Sequence, residues 1–220
     1  MAKGIKELRS RVRSIKSTRK ITRAMEMVSA AKLRRAQTAM EGAKPFMKKL
    51  EMLLSRLSRS PKAQENPLFQ SRKDSSAPNL VVLFTSDRGL CGGFNANLIK
   101  RAEKYLKAHP GSLMYFVGRK GLDHFKKRLP ASQIVGKYVD FAAKLDGEAT
   151  DRISAEILEM FEKEEVANIE LICAEFISTS TNRPQISRFL PLEASAFEED
   201  LDENDKEKAI DYILEPSPEE

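Results

Sequence analysis

The sequence predicts an α/β protein made of one very long N-terminal helix followed by a mainly parallel, five-stranded sheet with helices between its strands. Two observations predict it. From Ile5 to Leu57 apolar residues recur at helical spacing, and after Gly4 only Gly42 and Pro45 interrupt the stretch. After Pro78, short apolar runs alternate with amphipathic stretches and with Gly, Pro and Ser breaks, the pattern of strand–helix–strand crossovers. The chain divides accordingly into a long helix over 1–60, a linker over 61–78, and an α/β domain over 79–220 that ends in an acidic segment.

The helical reading rests on Ile5, Leu8, Val12 and Ile15, then on Ile21, Met25, Val28, Ala31 and Met40, and beyond Pro45 on Phe46, Leu50, Leu53 and Leu57. A helix of this length would span about 80 Å at ~1.5 Å per residue. Pro45 removes one hydrogen bond and bends such a helix without having to end it. The stripe is narrow, as in a two-stranded coiled coil, and calls for a partner helix. No later stretch has matching length, so either another subunit covers the stripe or the natural chain continues past Glu220.

The strands follow in order. Asn79–Phe84 is a buried-strand run after a loop rich in Ser, Lys, Asn and Pro. A glycine-rich turn over Ser86–Gly93 leads into a helix from Phe94 to about Lys107, which His109-Pro110-Gly111 ends. Leu113–Val117 gives the second strand, Gly121–Arg128 a short helix, and Gln133–Val139 the third strand. Ile153, Ile157, Leu158 and Phe161 mark a helix over Asp151–Lys163. Glu170–Ile177 and Gln185–Leu190 supply the fourth and fifth strands.

Composition narrows the function. The chain has 220 residues and a net charge of +6. That total hides an asymmetry: residues 1–60 carry 17 Lys/Arg against four acids, and residues 189–220 carry 12 acids against two lysines. A basic arm and an acidic end point to nucleic acid or to complementary protein surfaces. No aromatic residue lies between Met1 and Pro45, so base stacking is not supplied and a nucleic-acid partner is not expected. No apolar run of about 18 residues exists, so association with a membrane would come only through partners. The N-terminus predicts no secretory signal. Cys91 and Cys173 are the only cysteines, which points to a reducing compartment and to no cysteine-based zinc site.

The motifs that invite an enzyme reading are weak. Gly89, Gly92 and Gly93 follow a strand, but no GK[ST] follows them, and their spacing fails G-x-G-x-x-G. A tight strand-to-helix turn is the simpler reading, with Asp87 and Arg88 as turn and surface contacts. His109 and His124 have no ligand spacing with each other or with either cysteine, and Cys91 has no nearby histidine to act as base. No metal, cofactor or catalytic group is expected. A nucleotide-binding α/β enzyme domain stays open as the alternative.

Three stretches together resemble the γ-subunit family of F-type ATP synthases. They are Ile15–Gln37, reading IKSTRKITRAMEMVSAAKLRRAQ; Thr85–Asn95, reading TSDRGLCGGFN; and Ile186–Leu192, reading ISRFLPL, followed by Asp211–Pro216, reading DYILEP. The resemblance implies a Rossmann-like foot domain and a non-catalytic central-stalk rotor subunit. The complex would couple proton flow through the membrane c-ring to ATP synthesis in an α3β3 ring, with the nucleotide sites in the β subunits. It implies α, β, ε and c-ring partners and a peripheral position at the cytoplasmic face of the bacterial inner membrane. Residue by residue, Lys20, Arg23 and Met25 match the family's contact segment against the catalytic subunits' lever. Asp211, Tyr212 and Glu215 match the foot segment near ε and the c-ring, while Leu214 stands where an aromatic is often found. The resemblance also implies a second long helix beyond the Glu215-Pro216 segment; this chain stops at Glu220, which gives a truncated form as an expectation.

Overall fold

The computed structural model describes residues 2–58, 61–72, 75–140 and 147–192. Asp211, Tyr212, Glu215 and the acidic segment from Glu198 onward lie outside the described residues. Helix α1 (Ala2–Leu57) is continuous through Pro45. A one-turn helix α2 (Pro61–Gln64) follows, inside the stretch expected to be loop. Residues 1–54 and 55–220 form two separate compact units.

In the second unit, strand β1 (Leu80–Phe84) is followed by α3 (Phe94–Ala108), β2 (Leu113–Val117), α4 (Arg119–Phe125) and β3 (Ile134–Tyr138). Helix α5 (Gly147–Glu162), β4 (Ile169–Phe176) and β5 (Asn182–Leu190) complete it. The sheet order is β3-β2-β1-β4-β5. Four strands are parallel; β5 runs antiparallel to β4 and closes one edge as a hairpin. Pro184 sits in this edge strand, where a missing ladder donor is tolerated. Helix α4 begins two residues before the expected Gly121 and gives way to turns after Phe125.

Alternation along β1 builds two cores. Leu80 and Val82 face one way, against Ile153, Ile157 and Phe161 of α5. Val81 and Leu83 face the other, against Leu98 and Ala102 of α3 and Phe125 of α4. The central strands are therefore apolar on both faces, as a parallel sheet covered by helices requires.

Two buried polar groups of the sheet are held by side-chain partners. Glu170 is 7% exposed, and one of its carboxylate oxygens accepts from both Nε (3.1 Å) and Nη2 (3.0 Å) of Arg188, tying β5 to β4. Tyr115 is 2% exposed and donates its hydroxyl to Glu156 at 2.6 Å. Its ring lies over Gly136, where an added Cβ would come within 2.1 Å of the ring, so only glycine fits there. The Tyr115 hydroxyl and then Arg152 hold the Glu156 carboxyl below the ordinary carboxylate range. Burial, then the carboxylate, push the tyrosine hydroxyl above its usual value.

Tyr115→Phe keeps the ring and removes this bond, so we expect a loss of about 1 kcal/mol at neutral pH. A depressed carboxyl contributes stability above its unfolded pKa and loses it as pH falls through the folded one. The gap between Y115F and the parent should therefore shrink in acid, below the ordinary carboxylate range. Urea unfolding at neutral and acidic pH checks this; a gap that widens in acid contradicts it.

Candidate functional site: an exposed basic helix and a sealed strand-end corner

Along α1 the apolar stripe stands in the open. Leu8 is 61% exposed, Ile15 67%, Met25 51% and Phe46 68%. Thr18 and Thr22 interrupt it, and the Thr22 hydroxyl donates back to the Thr18 carbonyl at 2.9 Å. Cations flank the stripe on all sides. Arg11 pairs with Glu7 at 2.8 Å, but Lys20 and Arg23 have no ion pair or hydrogen bond among the described residues.

The three expected contact residues do not form one cluster. At about 100° per residue, Arg23 and Met25 project about 160° apart around the helix, and Lys20 lies about 60° from Arg23. Arg23 borders an open face with Ile15, Thr18, Thr22, Glu26 and Met27. Lys20 borders a different one with Leu8, Val12 and Lys16. This segment presents its side chains in several directions around the helix. It is not a pocket.

The second candidate lies at the carboxyl ends of β1, β2 and β3, where open parallel sheets bind ligands. Here the corner is filled from within. One Asp87 carboxylate oxygen accepts from the backbone N–H groups of Arg119 (3.0 Å) and Asp140 (2.8 Å). Arg119 in turn reaches the Asp140 carboxylate at 3.0 Å. Asp87 thus supplies, from the chain itself, an anion at the start of α4. The Asn95 amide donates to Ser86 Oγ (2.8 Å) and to Cys91 Sγ (3.0 Å), closing the glycine turn on itself. Leu90, at the tip, has φ 62° and is 96% exposed.

The expected turn and surface roles of Asp87 and Arg88 match this geometry. What the sequence did not show is that Asp87 ties three loops together. Its partners lie 32 and 53 residues away, and only the acidic side chain directly after a strand hinted at it. Among the described residues no group of three or more metal-ligating side chains occurs. His124 is engaged with Glu103 at 2.8 Å, and His109 stacks on Tyr105.

A long exposed helix joined to a Rossmann-order sheet defines a stalk-type α/β protein. Its fold is similar to that in the central stalk and c-ring of the Tetrahymena thermophila mitochondrial ATP synthase, with a TM-score of 0.64 and 20% identity over 78% of this chain and 72% of that one. The ATP synthase gamma chain of Heliobacterium modesticaldum is 36% identical over 217 residues, covering 98% of this chain and 73% of the relative. That of Solibacter usitatus is 38% identical over 218 residues, covering 96% and 72%. A family model described as ATP synthase matches residues 4–220. The chain belongs to the γ-chain family of ATP synthases.

Proposed function

We propose that this chain is a central-stalk rotor subunit of a proton-translocating F-type ATP synthase, coupling c-ring rotation to ATP synthesis in an α3β3 ring. The observation that carries the reading is the stripe of α1, apolar and exposed over some 45 residues from Leu8 to Leu53 with cations around it, in a chain of this family. A helix with different faces in different directions presents a different surface to each of three like neighbours. Each orientation then favours a different conformation and nucleotide affinity, which is a reciprocal coupling between distant sites.

In this reading the subunit is non-catalytic, and the nucleotide sites belong to the β subunits. The self-filled corner at Asp87 supports that assignment. Lys20, Arg23 and Met25 bear on the catalytic subunits' lever, and Asp211, Tyr212 and Glu215 meet ε and the c-ring. Residues 1–60 are the shaft, 61–78 the linker and 79–220 the foot. None of the described helices is long and apolar enough to cross a membrane. The subunit is held as a peripheral component, and we place it at the cytoplasmic face of the bacterial inner membrane.

The test is gel filtration of this chain with purified α and β subunits, scoring stoichiometry and ATPase activity. One copy per α3β3 unit, with altered ATPase, is the expected result. Failure of the chain to co-elute, together with saturable ATP binding by the chain alone, would return the enzyme reading.

A further inference from the structure

In the connector between α1 and β1, a largely buried cation bonds the sheet domain. Arg72 has a side chain 13% exposed. Its Nη1 donates to the carbonyl of Phe161 at 2.5 Å and lies 3.4 Å from that of Val166, and its guanidinium lies 4.1 Å from the centroid of the Phe161 ring. Phe161 is itself fully buried in the α5-side core.

The receiving site suits a cation. Helix α5 ends at Glu162, Glu164 takes a left-handed φ of 59°, and the Phe161 carbonyl already accepts the Glu164 N–H at 3.1 Å, so Arg72 adds a second donor to its other lone pair. The negative end of the helix dipole adds to the attraction. One guanidinium nitrogen faces both carbonyls while the guanidinium lies over the aromatic ring, a stacked contact for which arginine is better suited than lysine.

Among the described residues the connector is also held on either side of Arg72, where Leu68 packs on the α5-side core and the Asn168 amide donates to the Asn79 side chain at 2.9 Å. Leu192 N–H donates to the Leu68 carbonyl at 2.7 Å, and Ala167 N–H to the Pro78 carbonyl at 3.0 Å. Arg72 falls between them. Arg72 adds a side-chain tie from this part of the connector to the end of α5, and a segment held at more points transmits twist better than slack peptide.

We propose that Arg72 is a positioning residue for torque transmission: it clamps the connector to the end of α5 so that turning the foot turns α1 without lost motion. This rests on the rotor reading above. The experiment uses complete ATP synthase assembled with the parent chain, R72A, R72K or E164Q, and measures subunit content, ATP hydrolysis and protons pumped per ATP. In R72A, assembly and hydrolysis should persist while pumping per ATP falls by about twofold or more. R72K should be intermediate. E164Q should match the parent, because Glu164 is 78% exposed and 4.0 Å from the guanidinium.

Parent-like pumping per ATP in R72A overturns the clamp. So does a proportional fall of assembly, hydrolysis and pumping in both Arg72 variants, which is what a purely structural role gives. If the parent chain itself does not support coupled pumping, the rotor reading fails and the clamp fails with it.

Discussion

Reversing the charge at both Lys20 and Arg23 is expected to lower ATP-driven proton pumping by the assembled complex about fivefold or more, near the lower end of typical coupling between distant sites. The chain's own folding should not change. Both side chains are exposed on α1 and bond to nothing among the described residues, so K20E/R23E breaks no internal contact. What changes is the field presented to a neighbour. In the rotor reading proposed above, a pair of cations facing an acidic neighbour attracts without demanding one geometry, and such attraction survives a changing orientation better than tight packing does. Reversal turns it into repulsion. Added salt should narrow the gap between variant and parent, because exposed charges are screened within about 10 Å at 0.1 M ionic strength. Proton pumping equal to the parent's at low salt would remove these two residues from the coupling surface.

The largest effect on stability is expected at Gly118. This residue follows β2 with φ 104° and ψ 145°, a region that only glycine occupies readily. A Cβ added there would lie 2.0 Å from the Thr85 carbonyl oxygen and 2.7 Å from its carbon. Thr85 cannot yield, because its N–H bonds the Val117 carbonyl at 2.8 Å and its hydroxyl accepts from Gly121 N–H at 2.9 Å. Gly118 is itself held by donating to the Tyr138 carbonyl at 2.8 Å. Gly118→Ala therefore combines dihedral strain with a backbone clash, and we expect a loss of about 3 kcal/mol or more. For a domain of this size that corresponds to a fall of about 10 °C in melting temperature. Thermal unfolding followed by circular dichroism measures it, and a melting temperature within about 2 °C of the parent's would contradict the close approach at Thr85.

Much of this fold was legible in the sequence because it is written in local periodicity. The stripe from Ile5 to Leu57 fixes a helix whatever packs on it, and LVVLF and LMYFV read as strands because both faces of a parallel sheet are buried. Strand direction is not written that way. The stretch Gln185–Leu190 reads as a strand in either sense, and its antiparallel run against β4 follows from the short Ile177–Thr181 turn. Long-range polar bonds were also invisible. Arg72 sits in a Ser- and Lys-containing loop, and its acceptors lie 89 and 94 residues further along. The family resemblance, not spacing, picked out Lys20, Arg23 and Met25 as one segment; helical geometry puts them on different faces.

The Asp87 carboxylate carries one more consequence. A phosphate approaching the start of α4 would have to displace an anion covalently part of the chain, already bonded to two amides and at effectively unlimited local concentration. The strand-end corner thus carries its own negative charge where such an anion would dock. In the rotor reading proposed above, this self-supplied anion would set the subunit apart from nucleotide-binding neighbours, even though its sheet has the strand order of a nucleotide binder.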